Sequence, residues 1–337
     1  MPESEKGLYI ANAWKALVTE TARKQLESDG WSVDGNWLNS KSIAPLHKVI
    51  LAAPAYFDGA VMVFPKDYPK SRVFSYLIYP DEMVGWDYKS KTYKLEKQET
   101  FIPLLEQTSI LSESKFTLDL VASVYGNVIN PDQDITYLPV EFNQISKIKM
   151  ETKQNVEKPV RVLWNHMWRS DKGFKEALLL IDQLSSNYPK AEFCVARDNL
   201  WGNNPDTKNL QINTAPILVK LRQKNNVFFR ENFGFKRALE YWQFLTTFDV
   251  GFSVSYQEGF GLSMLEQSSA GIACVMPPRE SYPEIHKGGL ITENVGDGIA
   301  ALIEDVKLRE GISQSCQENA RRFNAEDWAK IIITKIG

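Results

Sequence analysis

Cysteine and long apolar runs are scarce in this sequence of 337 residues, and each scarcity argues against a class of protein. The three cysteines, Cys194, Cys274 and Cys316, are far apart, and two of them lie in apolar runs typical of strands. This pattern predicts buried reduced thiols rather than a disulfide framework or a zinc site. No apolar run has the length of a transmembrane helix, and residues 1–9 lack the apolar stretch of a signal peptide, so we expect a cytoplasmic protein.

A large excess of either charge is missing as well. The formal net charge is −3 at pH 7, and 24% charged with 43% hydrophobic residues is the composition of a soluble globular protein. Without a strong positive field the chain has no broad attraction to nucleic acid or anionic lipid. A local basic groove stays open as an alternative.

The length and the order of elements predict two domains, because 337 residues are too many for one ordinary core. Strands and helices alternate over residues 1–145 and again over 158–322, which is typical of parallel sheets covered by helices. The polar stretch 141–158 has no apolar period and is predicted to connect the domains. Residues 323–337 predict a C-terminal helix that could cross back to the first domain.

Apolar periodicity assigns the individual elements. In the first domain it predicts strands at 8–12, 31–38, 59–64, 72–79, 109–112 and 135–140, and helices at 14–29, 43–53, 91–106 and 115–125. In the second it predicts strands at 160–164, 191–196, 227–230, 249–255 and 273–276. The result is an α/β protein with two doubly wound, Rossmann-like domains facing a cleft, with ligands beyond the carboxyl ends of the strands.

The stretch 248–266 combines a buried strand, a turn with two glycines and the start of a helix. The glycines permit a close approach of the backbone to a ligand, and the first amides of the helix can meet an anion. Two acids, Glu258 before the turn and Glu266 on the helix, have seven residues between them.

A second stretch, residues 162–174, carries a histidine and two cations between a strand and a helix. Arg169 and Lys172 can present fixed positive charge to a diphosphate through charge-assisted hydrogen bonds. His166 follows the strand directly, where it can hydrogen-bond a ligand or hold the loop from within.

These two stretches resemble the donor site of retaining glycosyltransferases with the GT-B fold, specifically family four. In that family the first glutamate lies near the transferred sugar and the second binds the ribose, so the resemblance implies these roles for Glu258 and Glu266. Lys172 followed by Gly173 matches the family pattern, whereas its usual arginine position holds Met167, and Arg169 is the candidate replacement. The implied catalytic residues are Glu258 and His166, and the implied donor-binding residues are Lys172, Arg169, Glu266, Gly259, Phe260, Gly261 and Leu262.

Within that family the segment LWNHMWRSDK is similar to the tRNA-queuosine mannosyltransferases. Further similarities are Gly234-Phe235, Glu240-Tyr241-Trp242 and the SYPEI segment that begins at Ser281, so the resemblance covers roughly residues 160–290. The first half departs from the pattern, because it lacks a Gly-Gly pair after the first strand and a histidine in residues 74–81. Its candidate acceptor-side residues are Tyr79, Asp81 and Glu82.

The resemblance implies that residues 158–322 bind a nucleotide sugar and that residues 1–145 face the acceptor. The expected reaction is retaining transfer from a UDP- or GDP-sugar to an acceptor hydroxyl. No cofactor or metal is expected, since no Asp-x-Asp motif sits at the end of a predicted strand. The acceptor is expected to be a modified base of tRNA or of hydroxylated DNA, with a glycan, a lipid or a small molecule as alternatives. A sugar-nucleotide epimerase and a non-catalytic nucleotide-sugar-binding protein are the competing functions.

Overall fold

The computed structural model describes residues 7–11, 19–36, 49–52, 72–77, 83–87, 90–130, 133–152, 158–197, 205–231 and 238–336. The chain divides into two compact units. The first contains Met1–Glu141 together with Phe323–Gly337, and the second contains Phe142–Arg322.

The first unit is built on a parallel sheet with the strand order β2-β1-β3-β4-β7-β8, next to a small antiparallel pair, β5 and β6. Its described strands are β1 (Gly7–Ala11), β2 (Ser32–Asn36), β3 (Val49–Ala52), β4 (Arg72–Leu77), β5 (Trp86–Asp87), β6 (Thr92–Tyr93), β7 (Ser109–Ser112) and β8 (Gln133–Ile135). Its helices before residue 142 are α1 (Glu20–Ser28), α2 (Ile102–Gln107) and α3 (Lys115–Tyr125).

The second unit holds a second parallel sheet and its covering helices. Its strands are β9 (Arg161–Asn165), β10 (Glu192–Arg197), β11 (Val227–Glu231), β12 (Val250–Phe252), β13 (Ala273–Met276) and β14 (Leu290–Ile291). Its helices are α4 (Phe142–Thr152), α5 (Phe174–Asn187), α6 (Pro205–Arg222), α7 (Ala238–Leu245), α8 (Leu262–Ser269), α9 (Tyr282–Ile285), α10 (Val295–Glu304) and α11 (Val306–Ala320). The last helix, α12 (Ala325–Ile336), belongs to the first unit.

The strand order of the second sheet, β11-β10-β9-β12-β13-β14, runs 3-2-1-4-5-6 when its strands are numbered along the chain. This is the order of the dinucleotide-binding fold, and it reverses direction between its first and fourth strands. Here those strands are β9 and β12, which pair in parallel through Val162 opposite Val250 and Trp164 opposite Phe252. Loops that leave their carboxyl ends therefore start side by side. The prediction of an α/β protein with two doubly wound sheets is confirmed.

Two predicted helices of the first unit are wrong. Residues 43–53 were predicted as helix, but Val49–Ala52 is strand β3, which pairs with both β1 and β4. A run of four apolar residues in mid-sheet has no polar face, so periodicity does not separate strand from helix there. Residues 91–106 hold β6, a short 3₁₀ turn and then α2, because Lys91 and Leu95 both have a φ of 57°, which a right-handed helix cannot contain.

The stretch predicted to connect the domains is also different in the structure. Residues 142–152 form helix α4, which is part of the second unit and buries Phe142 and Ile145. The strand predicted at 135–140 is displaced, since β8 covers Gln133–Ile135 and beyond Ile135 only Val140 makes an isolated bridge, to Asn324. The strand predicted at 59–64 lies outside the described residues.

The three cysteines are buried and unbridged, in agreement with the prediction of buried thiols. In the part of the chain that the structure covers, every helix is too short or too polar to cross a membrane.

The close contact between β12 and α8 requires a glycine at position 251. A Cβ atom on Gly251 would come within 2.1 Å of Gln267 Oε1 and 3.2 Å of Ile272 Cγ2. Gln267 is itself buried and donates from Nε2 to the carbonyl oxygen of Ser263, so it has little room to move. Gly251 therefore sets how closely α8 packs on the central strand.

We expect Gly251→Ala to lower the free energy of unfolding by about 1–3 kcal/mol, the usual cost of overpacking a filled core. Gly311→Ala is the matched control, because a Cβ there meets nothing within 4 Å. It should raise the free energy of unfolding by about 0.5–1 kcal/mol, the helix preference of alanine over glycine. Urea titrations of both variants measure the two shifts, and a Gly251→Ala protein as stable as wild type would contradict the packing argument.

Candidate active site

The candidate site lies in the second unit, where β9 and β12 end beside each other. β9 leads into residues 166–173, and β12 leads into residues 253–261, called the site loop below. The backbone amides of Tyr256 and Gln257 donate to the carbonyl oxygen of Asp171 at 2.7 and 3.2 Å, which joins the two segments directly. The switch point of the sheet thus brings together both stretches that sequence analysis singled out.

An ion pair between Lys172 and Glu258 occupies the centre of the site. Lys172 Nζ lies 3.1 Å from Glu258 Oε2 and donates to the carbonyl oxygen of Gln257 at 2.6 Å. The other carboxylate oxygen, Glu258 Oε1, accepts from the amide of Gly261 at 3.1 Å. Both charged side chains are only 15% exposed, so water screens the pair weakly. The acid therefore has a fixed position between a cation and a backbone amide.

The charge of Lys172 is secured by its neighbours. Burial of the ammonium group acts to lower the pKa of Lys172, but the carboxylates of Glu258 and Asp171 outweigh it, and the pKa is raised above its ordinary value. Arg169 Nε donates to Asp171 Oδ1 at 2.8 Å, so the second cation is held against the same loop. Two positive side chains thus stand at the carboxyl end of β9.

Glu266 is held by a chain of hydrogen bonds that crosses three elements. Tyr241 Oη on α7 donates to Glu266 Oε2 at 2.8 Å, and Asn165 Nδ2 at the end of β9 donates to Tyr241 Oη at 2.9 Å. Ser263 Oγ on α8 donates back to the carbonyl oxygen of Asn165. The carboxylate of Glu266 is therefore oriented by residues of β9 and α7 as well as by its own helix.

Glycines in the left-handed region begin both helices that start at the site. Gly173 has a φ of 67° before α5, and Gly261 has a φ of 83° before α8. Added Cβ atoms would come within 2.6 Å of the Val254 carbonyl oxygen and of His286 Nε2 respectively. Neither helix has a side-chain cap at this position, and such an N-terminus presents amide donors suited to an anion.

Residues 279–286, called the clamp segment below, hold the backbone of the site loop. The amide of Glu258 donates to Glu280 Oε2 at 2.5 Å, and Ser281 Oγ donates to the carbonyl oxygen of Glu258 at 2.9 Å. Both backbone polar groups of Glu258 are therefore bonded to consecutive residues of the clamp segment.

Two further contacts extend the clamp to both ends of the loop. Tyr282 Oη shares a hydrogen bond of 2.6 Å with Ser253 Oγ. His286 Nε2 donates to the carbonyl oxygen of Phe260 at 3.1 Å, which fixes the tautomer of that ring. The loop that carries Glu258 is thus bonded to the clamp segment at its start, middle and end.

Three titratable groups of the clamp segment, Glu280, Tyr282 and His286, are kept neutral by burial. Burial raises the pKa of Glu280 to about 8, lowers the pKa of His286 to about 4, and raises the pKa of Tyr282 well above its ordinary value. At neutral pH these three groups add little charge to the surroundings of Lys172 and Glu258.

Of the predicted site residues, the structure joins Lys172, Glu258 and Gly261 through direct bonds and ties Glu266 to the end of β9. His166 is buried at that strand end, with its ring 5.7 Å from the ring of Trp164. Phe260 is buried before Gly261, and Leu262 is the first residue of α8. The acceptor-side candidates Tyr79, Asp81 and Glu82 lie outside the described residues.

Sequence reasoning missed the residues that support the site. Tyr241 belongs to the segment Glu240-Tyr241-Trp242 but carries no predicted role, and Glu280 lies outside every predicted motif. Their bonds join positions 25 and 22 residues apart in the chain, a separation with no periodic signal. An acid directly before the SYPEI segment was the one available hint to Glu280.

The structure has the GT-B fold, the two-domain Rossmann-like architecture of a large class of glycosyltransferases. Among solved structures, the Anabaena protein HepE in complex with UDP and glucose aligns with a TM-score of 0.65 and 15% identity over 98% of this chain and 99% of that one. The Escherichia coli trehalose-6-phosphate structure with bound UDP-2-fluoro glucose aligns with a TM-score of 0.71 and 11% identity over 98% of both chains. These identities establish the fold alone.

A sequence relative is the Drosophila melanogaster protein named tRNA-queuosine alpha-mannosyltransferase. It is 27% identical over 157 residues, which cover 45% of this chain and 38% of the fly protein. The match thus spans well under half of that relative's length. No family model matches the chain.

The neutral state of His286 predicts a pH dependence of stability with a defined sign. Because the folded pKa lies below the ordinary value of 6.5, the stability linked to this group is present above pH 6.5 and is lost as the pH falls through about 4. The free energy of unfolding of wild type should therefore fall more steeply over this range than that of His286→Gln, which cannot be protonated there. Urea titrations across the range measure both slopes, and equal slopes would show that His286 is not held neutral.

Proposed function

We propose that this protein is a glycosyltransferase that moves a sugar from a nucleoside-diphosphate sugar to an acceptor hydroxyl, with retention of configuration and without a metal ion. The observation that carries the proposal is the Lys172–Glu258 pair at the start of α8, at the switch point between β9 and β12. Such switch points are where open α/β sheets bind nucleotides. The names of the relatives support the same reaction class, since the fly protein is a mannosyltransferase and two structural neighbours hold UDP or a UDP-sugar.

The diphosphate of the donor is proposed to lie against Lys172, Arg169 and the first amides of α8. Lys172 is suited to this role because its neighbours raise its pKa and keep it cationic. Fixed cations and amides aimed at a leaving group stabilise the negative charge that develops on it. They would take the part that a divalent ion plays in other sugar transferases. The donor is proposed to be a UDP- or GDP-sugar.

Glu258 is proposed to face the sugar carbon whose bond to the diphosphate breaks. Positive charge develops there in an oxocarbenium-like transition state, and a carboxylate close by stabilises it. The bonds to Lys172 and to the Gly261 amide hold this carboxylate in one orientation before the donor arrives. His166, buried at the end of β9, is proposed to contact the same sugar.

Glu266 is proposed to accept hydrogen bonds from the ribose hydroxyls of the donor. Glu266 is the fifth residue of α8 and lies eight residues after Glu258, so it is close to the helix start at the switch point. The hydrogen bond from Tyr241 orients the carboxylate without cancelling its charge. A charged acceptor with a fixed direction suits a pair of neighbouring hydroxyls.

The acceptor is proposed to be a nucleic-acid base that is exposed or flipped out for the reaction. The fly relative is named for a tRNA substrate. In the first unit, Lys91 precedes strand β6, half-buried Tyr93 ends it, and exposed Lys94 follows it. Lysines that contact phosphates and an aromatic ring that stacks a base are the usual elements of such a surface.

Donor binding provides the direct test of the reaction class. UDP or GDP should raise the free energy of unfolding by about 2.7 kcal/mol at 100 times its dissociation constant. EDTA should leave that stabilisation intact, and turnover of the matching sugar nucleotide should give a product with the donor's anomeric configuration, read by NMR. Loss of the stabilisation with EDTA would show that nucleotide binding requires a metal ion and would contradict the proposed metal-free reaction. Binding without hydrolysis or transfer of any UDP- or GDP-sugar would identify a non-catalytic binding protein instead.

The two acids should separate binding from turnover. Glu266→Ala should weaken the affinity for the nucleotide by about 1.5–3 kcal/mol, the worth of hydrogen bonds to a charged group. Glu258→Gln should instead lower kcat with a smaller effect on nucleotide affinity. Calorimetry and initial rates measure both, with Glu310→Ala, an exposed acid of α11, as the control. Donor affinity unchanged in Glu266→Ala would remove the ribose role.

The acceptor is tested by gel shift at low salt with tRNA and with duplex DNA. The double variant Lys91→Glu, Lys94→Glu should abolish binding, since reversing two phosphate-contacting charges opposes the polyanion. The control Lys24→Glu, Lys330→Glu makes the same charge change at two exposed lysines of the first unit. Absence of binding to either nucleic acid, or equal binding by both double variants, would point to a glycan, lipid or small-molecule acceptor.

A further inference from the structure

Glu280 adopts a backbone conformation that its side chain disfavours. Its φ is 55°, in the left-handed region where a Cβ atom crowds the backbone. Glycine reaches this region freely, and a glutamate there is sustained only when its surroundings impose it. A strained residue beside a candidate site suggests a role for its side chain.

The side chain of Glu280 makes a bond that glycine could not make. Its Oε2 accepts the amide of Glu258 at 2.5 Å, while the next residue, Ser281, donates to the carbonyl oxygen of Glu258 at 2.9 Å. Glu258 in turn directs its carboxylate at Lys172 and at the Gly261 amide. A free Glu258 amide could rotate its peptide plane, and the side chain would then leave this position.

We propose that Glu280 is a positioning residue, which fixes the backbone of Glu258 so that its carboxylate stays between Lys172 Nζ and the Gly261 amide. The proposal rests on the proposed function, because Glu258 is taken there as the acid beside the transferred sugar. Glu280 itself acts through Glu258 rather than on the donor.

The charge state of Glu280 is consistent with this role. The charged and titratable groups around it are Lys172, Glu258, Arg279 and Tyr282. Burial raises the pKa of Glu280 to about 8, so the group is mostly protonated at neutral pH and still accepts the amide through an oxygen. An ionised Glu280 would compete with Glu258 for Lys172, and the two carboxylates would repel each other. Glutamine has the size and the acceptor oxygen of the protonated form, and therefore should replace it.

Three variants separate positioning from a merely structural role. Glu280→Gly removes the bond, which lowers stability, and also the backbone strain, which raises it, so it should fold with a stability close to that of wild type. Its kcat should nevertheless fall between about 10-fold and 100-fold, the effect of a misplaced reacting group, with the KM for the donor changed less than about 3-fold. Glu280→Gln should keep the kcat of wild type near pH 7. Glu293→Gln, at an exposed acid, is the control for loss of a carboxylate.

The pH profile adds a readout that a structural role would not move. As the pH rises through about 8, ionisation of Glu280 should lower the kcat of wild type, whereas Glu280→Gln should lack this alkaline decline. Identical alkaline limbs in the two proteins would overturn the neutral positioning role.

Hydrogen–deuterium exchange tests the clamp without any turnover. Exchange in the peptide of residues 256–262 should be faster in Glu280→Gly than in wild type and unchanged in Glu280→Gln and in Glu293→Gln. Unchanged exchange in Glu280→Gly would overturn the clamp, and faster exchange with a normal kcat would overturn the positioning role while the proposed function stands. If wild type turns over no sugar nucleotide, the proposed function fails and the positioning role fails with it, whereas the exchange data still decide whether the clamp exists.

Discussion

The ion pair of Lys172 and Glu258 is the contact on which the arrangement of the site depends. Its two members follow different strands, β9 and β12, so it forms only because the sheet places these strands side by side. Both side chains are largely buried, and a buried charge without its partner is costly. The pair therefore couples the strand order of the fold to the conformation of two loops, which explains why several segments converge on it.

Three residues of the clamp segment add hydrogen bonds around this pair without adding charge. Glu280, Tyr282 and His286 all bond to the site loop, and burial keeps each of them neutral near pH 7. An ionised Glu280 would compete with Glu258 for Lys172. Neutral groups hold the backbone and leave the direction of the central charge pair unchanged.

The sequence was sufficient to place five of the six strands of the second sheet and the glycine turn before α8, and the edge strand β14 was missed. The central strands of that sheet are buried on both faces and read as short apolar runs, while Gly261 marks a turn that few other residues can make. The same rule failed at Val49–Ala52, where a central strand was taken for a helix, and at residues 91–106, where left-handed residues interrupt the expected helix. Bonds such as those from Tyr241 to Glu266 and from Glu258 to Glu280 depend on tertiary packing alone. No local pattern encodes them, so the sequence points to the two acids as candidates but not to the residues that bond to them.

Under the proposed function, the paired state of Lys172 has a consequence for how a donor would bind. Lys172 already faces Glu258 and Arg169 already faces Asp171, so each cation contributes little net positive charge, and the attraction of a diphosphate must come largely from the amides at the start of α8. Once the diphosphate arrives, Lys172 can turn part of its hydrogen bonding towards the phosphate oxygens, because an ammonium group has three donors. The negative charge of Glu258 would then be less neutralised by Lys172 at the moment when positive charge develops on the sugar. The carboxylate would be most available in the transition state, which is where an interaction must strengthen in order to raise kcat.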